Sequence, residues 1–316
     1  MSVTIAQIGR HNRHKHYHAN PIRKRKPIKK QDEPEYWAIH NVADEQQEEF
    51  QQAWFAGVSS IQDLVVLQAI QDAFARGDLG TTLEEIPWDQ FPTELSPFRD
   101  EFINVLQQGA NATWEFLPDD VQAELRFDLM NPRSVEFIRD HTGELITQVT
   151  EETREAIAGV IDRAFTDGMH PRTSARHIRN TIGLTNRQAS AVDNLRRRLR
   201  EDGVPWPDVM NQTERYANDL LRQRSENIAR TETLRAANAG QELLWLQAAE
   251  EGLINEARTL KEWIVTPDDR LCEFCEPLDG QTQPLDGFFT SEIGNVEVPP
   301  LHPQCRCAMG LQFLDG

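Results

Sequence analysis

The sequence predicts an α+β chain: mainly helical N-terminal and middle regions, then a long helix leading into a small β-containing C-terminal module. Three observations carry this. Apolar residues recur at helical spacing through most of the first two hundred positions, as at Leu67, Ile70 and Phe74. From Gln212 to about Glu251 the only interruption is Gly240, with no proline. Beyond Leu260 the pattern changes to Trp263-Ile264-Val265, and glycine and proline punctuate the rest.

Taken in order, Asp44–Ala56 and Ser59–Arg76 read as two helices, the second opened by the capping-box pair Ser59 and Gln62. Residues 77–97 read as a connection broken by Pro87, Pro92 and Pro97. Phe98, Phe102, Val105 and Leu106 mark one face of a helix reaching Phe116, and residues 118–126 form a short one. A second helical block begins at Asn131-Pro132 with a short helix over residues 134–141. Thr150 then caps a stronger helix, with Glu151 and Glu152 in its favourable first turn and Gly168 as its stop. Residues 173–182 and 185–201 follow as two more. Arg196-Arg197-Arg198-Leu199-Arg200 gives this hairpin positive charge, but nothing marks a DNA-recognition helix, and it reads as packing. Strands are expected at residues 260–266, 296–298 and 308–313, with a turn at Asp279-Gly280. The expected domains are 1–31, a basic arm; 32–126, a helical region without assigned role; 127–211, a second helical region; and 212–316, the C-terminal domain.

Charge is unevenly placed. Arg10, Arg13, Lys15, Arg23, Lys24, Arg25, Lys26, Lys29 and Lys30 lie in the first thirty residues without any acid, whereas the remainder carries 24 basic and 51 acidic side chains. Such an arm suits packaged DNA or an acidic protein surface, and equally a solvated tail. His11, His14, His16 and His18 sit among like charges, where no specific metal site is expected. The longest apolar run, near Leu64–Leu67, falls far short of the ~20 residues that span a bilayer, and the N-terminus lacks a secretory h-region. Synthesis in the cytoplasm and no membrane partner are expected.

All four cysteines lie at one end, Cys272 and Cys275 as C-x-x-C and Cys305 and Cys307 as C-x-C, with His302 just before the second pair. C-x-x-C places two thiolates on one turn, and an extended C-x-C points both side chains to one face. These five donors suit a four-coordinate structural zinc, because a catalytic zinc keeps an open position. Which four would bind stays open, and disulfides or free thiols are the alternatives. Arg306, pointing away from its flanking cysteines, has an acid such as Glu232 as a candidate partner.

These residues also carry a resemblance. Ile228-Ala229-Arg230-Thr231-Glu232-Thr233 with Asn238-Ala239-Gly240, Thr266 through Cys275, Leu278-Asp279-Gly280, and Pro299 through Cys307 resemble, in order and spacing, the phage Mu F-like minor head (head morphogenesis) family. The likeness extends over about residues 127–312 and makes Arg230, Thr231 and Glu232 a structural motif. It implies a minor head or capsid protein of a tailed bacteriophage. Such a protein acts at the portal vertex in head morphogenesis, DNA packaging or ejection, with the portal and other head proteins as partners and a virion location. It implies no enzyme. The competing classes are a zinc-dependent or ADP-ribosyltransferase-like enzyme, which Arg-Thr-Glu alone would suggest, and a nucleic-acid-binding regulator. No H-E-x-x-H pattern is present, and the acidic body suits no extended duplex footprint.

Overall fold

The computed structural model describes residues 34–266 and 270–314. The nine basic arm residues, the four N-terminal histidines, and Asp268 and Asp269 lie outside the described residues. The helices are α1 (Pro34–Leu64), α2 (Leu67–Ala75), α3 (Leu79–Glu84), α4 (Phe91–Glu94), α5 (Ser96–Trp114), α6 (Asp119–Glu124), α7 (Pro132–Thr166), α8 (Pro171–Arg179), α9 (Asn186–Glu201) and α10 (Trp206–Glu250). The strands are β1 (Thr259–Ile264), β2 (Thr282–Pro284), β3 (Phe289–Ser291), β4 (Gly294–Val296) and β5 (Ala308–Phe313). The α+β class read from the sequence is the one observed. No single described helix is long and apolar enough to cross a membrane.

Two expected helix starts fall inside longer helices, each for a local reason. Ser59 and Gln62 lie inside the 31-residue α1. The buried stripe Trp54, Val58, Ile61 runs straight past Gly57. That glycine is a point of close approach and not a breaker, because a Cβ there would stand 2.5 Å from the Glu94 carbonyl oxygen. Thr150 likewise lies inside the 35-residue α7, its hydroxyl donating to the Ile146 carbonyl 2.8 Å away. Leu145, Val149, Ala156, Ile157 and Val160 continue one buried face across the expected break. The 77–97 connection contains α3, capped by Asp78 accepting from the Thr81 amide at 3.0 Å, and α4. Thr185 and Gln188 close a full capping box at the start of α9. The strand expected at residues 296–298 forms earlier, as β4, paired with β3.

The chain divides into two compact units, each assembled from separated stretches. One comprises Gln51–Asp100 and Asp140–Glu226 and is helical. Within it Phe74 packs on Phe165, with ring centroids 4.0 Å apart, against Ala164 and Met169. Buried Asp193 binds His177 at 2.8 Å and also pairs with Arg163. These partners outweigh burial and hold the Asp193 carboxyl at about 2.

The other unit takes residues up to Phe50, Glu101–Arg139 and those from Asn227 onward, and holds the sheet module. Its β1 is central, antiparallel to both β2 and β5. Nearly every residue of α10 from Thr231 to Ala248 is buried, so this segment is covered on all sides. Small residues make that possible. A Cβ on Gly240 would lie 1.9 Å from the Leu106 carbonyl oxygen, and one on Gly109 would lie 2.2 Å from that of Ala237. The backbones of α5 and α10 therefore cross in reciprocal contact.

Helical glycine to alanine normally stabilises by about 0.5–1 kcal/mol. Gly143→Ala in α7, with nothing within 4 Å of the added atom, is expected to show that gain. Gly240→Ala is expected to reverse the sign and cost about 3 kcal/mol, because backbone oxygen cannot yield as a side chain does. Urea midpoints of the two variants check the contrast.

Candidate metal centre

The centre is built on a turn, a 3-10 segment and the helix beneath them. His302, Pro303, Gln304 and Cys305 form a turn closed by the Cys305 amide donating to the His302 carbonyl at 3.0 Å. Proline at the second position and φ of +63° at Gln304 are the signature of a type II turn. Glutamine is a poor residue for that conformation, so outside contacts must hold it. They come from α10: the Gln304 amide donates to the Thr231 hydroxyl at 3.4 Å, and its side chain donates to Asn227 at 2.7 Å. The central residue of Arg-Thr-Glu thereby fixes the cysteine turn. Glu232, 1% exposed, lies 3.5 Å from Arg235, whose other end reaches the Pro300 carbonyl at 3.4 Å. Arg230 is exposed.

The turn brings the five sequence-selected donors into two triads that share Cys275. Cys272, Cys275 and His302 have donor atoms within 4.8 Å of one another, and so do Cys275, Cys305 and Cys307. His302 Nε2 is 3.0 Å from Cys272 Sγ and 3.2 Å from Cys275 Sγ, and the Cys275 and Cys305 sulfurs are 3.6 Å apart. All four cysteines are free, and 3.6 Å is far longer than a disulfide's ~2.05 Å. It is close to the roughly 3.8 Å that separates two thiolates tetrahedrally placed at ~2.3 Å from one zinc.

Two second-layer contacts suit a metal. The His302 Nδ1 faces the Pro303 carbonyl at 2.9 Å. A carbonyl only accepts, so Nδ1 carries the proton and Nε2 turns its lone pair to the sulfurs. The Cys275 amide donates to Cys272 Sγ at 3.4 Å, which favours a thiolate.

Without a cation the thiols share charge unevenly. A bond from Cys275 lowers Cys272 to about 4 against burial, with His302 assisting. Cys275 is pushed up by its bonds to Cys272, Cys305 and Cys307. Burial opposes charge on Cys305, yet bonds from Cys275 and Cys307 and the nearby His302 bring it well below the usual thiol range. On Cys307 a bond from Cys275 acts downward, but Cys305 and burial leave it well above that range. Burial disfavours the charged form of His302, while Cys272 and Cys305 raise it to about 9. The four thiols cannot all ionise together unless a positive charge joins them.

The family described as Phage Mu protein F like protein matches residues 155–310. That stretch is a Phage Mu F-like segment. No curated protein and no solved structure matches it. The F-like segment contains Arg230 to Glu232 and all five donors, and it ties the chain to phage head-related proteins.

The F-like segment does not complete its own site. Tyr36, in the first turn of α1, donates its hydroxyl to the Thr266 hydroxyl at 3.1 Å, just before the C-x-x-C loop. His40, one turn later, bonds the Arg306 carbonyl at 3.1 Å, between Cys305 and Cys307. Burial lowers the His40 pKa, so the ring is neutral at physiological pH and donates to that carbonyl. Glu35 accepts from the Leu311 amide on the outer edge of β5, and Gln241 donates to the Met309 carbonyl at 3.2 Å on the same strand. These bonds occupy an edge that would otherwise offer itself for strand pairing. Sequence reasoning gave this start of α1 no role. Tyr36 and His40 at i and i+4 were a visible polar-aromatic pair, but nothing in the pattern named their partners.

A second missed feature lies under β3. Lys261 on β1 is fully buried and pairs with Glu242 of α10, itself 6% exposed. Its ammonium also donates to the Glu297 carbonyl at 3.1 Å and lies 5.4 Å from the Phe289 ring centroid. Burial raises Glu242 to about 7, although Lys261 acts to lower it.

Proposed function

We propose that this chain is a non-enzymatic minor head protein of a tailed phage, acting at the portal vertex in head assembly, packaging or ejection. One observation carries the reading: within the F-like segment, Arg-Thr-Glu and His-Pro-Gln-Cys-Arg-Cys form one structural device, with Thr231 holding the turn that aligns the cysteines. Five donors for four positions, beside a tightly packed helix, suit a scaffold site. The portal and neighbouring head proteins are the proposed partners. The nine basic residues of the arm provide a contact for packaged DNA or for an acidic head-protein surface.

The device is proposed to hold one structural zinc. Cys275, common to both triads, is the indispensable ligand; Cys272, His302, Cys305 and Cys307 supply the other three positions. The ion would supply no reaction here. It would neutralise the clustered thiolates and tie the 3-10 turn after Cys275 to the loop before β5.

Mass spectrometry of purified virions and DNA-free proheads tests the role. The chain is expected in both at a few copies per particle, and in complexes recovered with portal protein. Its absence from both particles, with a free monomer in infected-cell extracts, would contradict the proposal.

A further inference from the structure

The helical unit carries a pocket of about 560 Å³, bounded by the α7–α8 turn, the end of α9 and the start of α10. Its lining holds three arginines against two acids, Asp167 and Glu201, in a chain of net charge −18. Arg196 forms a fixed and neutralised wall, 2.6 Å from Asp167 and 3.5 Å from Asp193. Arg197 and Arg200 differ. Both are exposed; Arg197 bonds the neutral Asn194 amide at 2.5 Å, and Arg200 lies 4.8 Å from the Trp206 ring centroid. Among the described residues, neither guanidinium has an acid as its partner.

Arg200, in the last turn of α9, complements the helix dipole, which accounts for its sign. It does not account for two unneutralised forks and an indole converging on one concavity. Guanidinium forks hold phosphate or carboxylate through paired N–H bonds. The volume exceeds what a bare anion fills and lies in the range of small-molecule sites. The indole offers an apolar, stackable wall, which favours a nucleotide over a peptide carboxylate.

We propose that this pocket binds a phosphate-bearing ligand of nucleotide size, with its phosphate between Arg197 and Arg200 and its base toward Trp206. The proposal stands independently of the metal centre and of the basic arm.

Calorimetric titration of the full chain with deoxyadenosine monophosphate, pyrophosphate, a single-stranded hexanucleotide and a glutamate-rich peptide tests it. Expected are saturable one-to-one binding of the monophosphate and a loss of at least about tenfold in R197Q/R200Q, the scale of a charge-assisted bond. R197K/R200K, which keeps charge without the fork, is expected to lose part of it, and K24Q/R25Q in the arm is expected to lose none. The hexanucleotide arm shows whether the group is taken from a strand as well as from a free nucleotide. Equal affinity in R197Q/R200Q, pyrophosphate binding as tight as the nucleotide, preference for the acidic peptide, or no saturable binding would each overturn the proposal.

Discussion

Lys261→Met is expected to destabilise the sheet-bearing unit by about 3–5 kcal/mol at pH 8, the usual cost of leaving a buried charge without its partner. Lys261 and Glu242 are both buried, and the carboxylate would remain buried without a cation. The double variant K261M/E242L is expected to recover most of the loss, returning to within about 1 kcal/mol of the parent, because well-packed apolar replacements of a buried pair are often neutral. The pH dependence has a definite sign. Glu242 is raised from 4.5 to about 7 in the folded chain. The stability linked to its proton is therefore complete below about 4.5 and is lost as pH rises through about 7. Removing Lys261 raises that carboxyl further. The single variant's deficit should thus grow between pH 5 and pH 8, while the double variant, which lacks the Glu242 titration, should gain on the parent over the same range. Urea midpoints at the two pH values measure both, and a pH-independent deficit would show that lost packing, not the stranded charge, is responsible.

The second large effect is expected at Cys275. It is 2% exposed and belongs to both donor triads, so Cys275→Ser removes a ligand of the proposed zinc whichever donors complete the site. Structural zinc contributes on the order of 10 kcal/mol of binding free energy in small domains. The variant is expected to lose the fold of the sheet module while the helical unit keeps its own packing. Cys272, His302, Cys305 and Cys307 are four candidates for the other three positions, so one of their single substitutions should be much milder than Cys275→Ser. Chelator treatment of the parent should reproduce the Cys275→Ser state, read as loss of amide protection across β1 and β5.

The α+β class, the long final helix, its strand-rich end and the five donors were legible because each has a local signature: 3.6-residue spacing, absence of proline, or C-x-x-C and C-x-C. The two misplaced starts show where local signals fail. Ser59 and Thr150 are good caps in isolation, yet continuous apolar stripes carry α1 and α7 through them. Gly57 and Gly240 look alike as helix weak points. Only the neighbouring carbonyls of Glu94 and Leu106 reveal that both are close crossings. Lys261 was hidden by its own chemistry, because a lysine in an alternating strand is assigned to solvent until its partner on another element is known. For the same reason Tyr36 and His40 stayed unread: their bonds to Thr266 and Arg306 join positions more than two hundred residues apart.

The central claim is that one zinc ion, held through Cys275, organises the F-like sheet module. Metal analysis of the purified full chain tests it most directly, comparing the parent with C275S and C272S/C275S. Close to one zinc per parent chain and essentially none in either variant is expected. A parent that purifies folded and metal-free, or variants that retain the parent's zinc content, would contradict it.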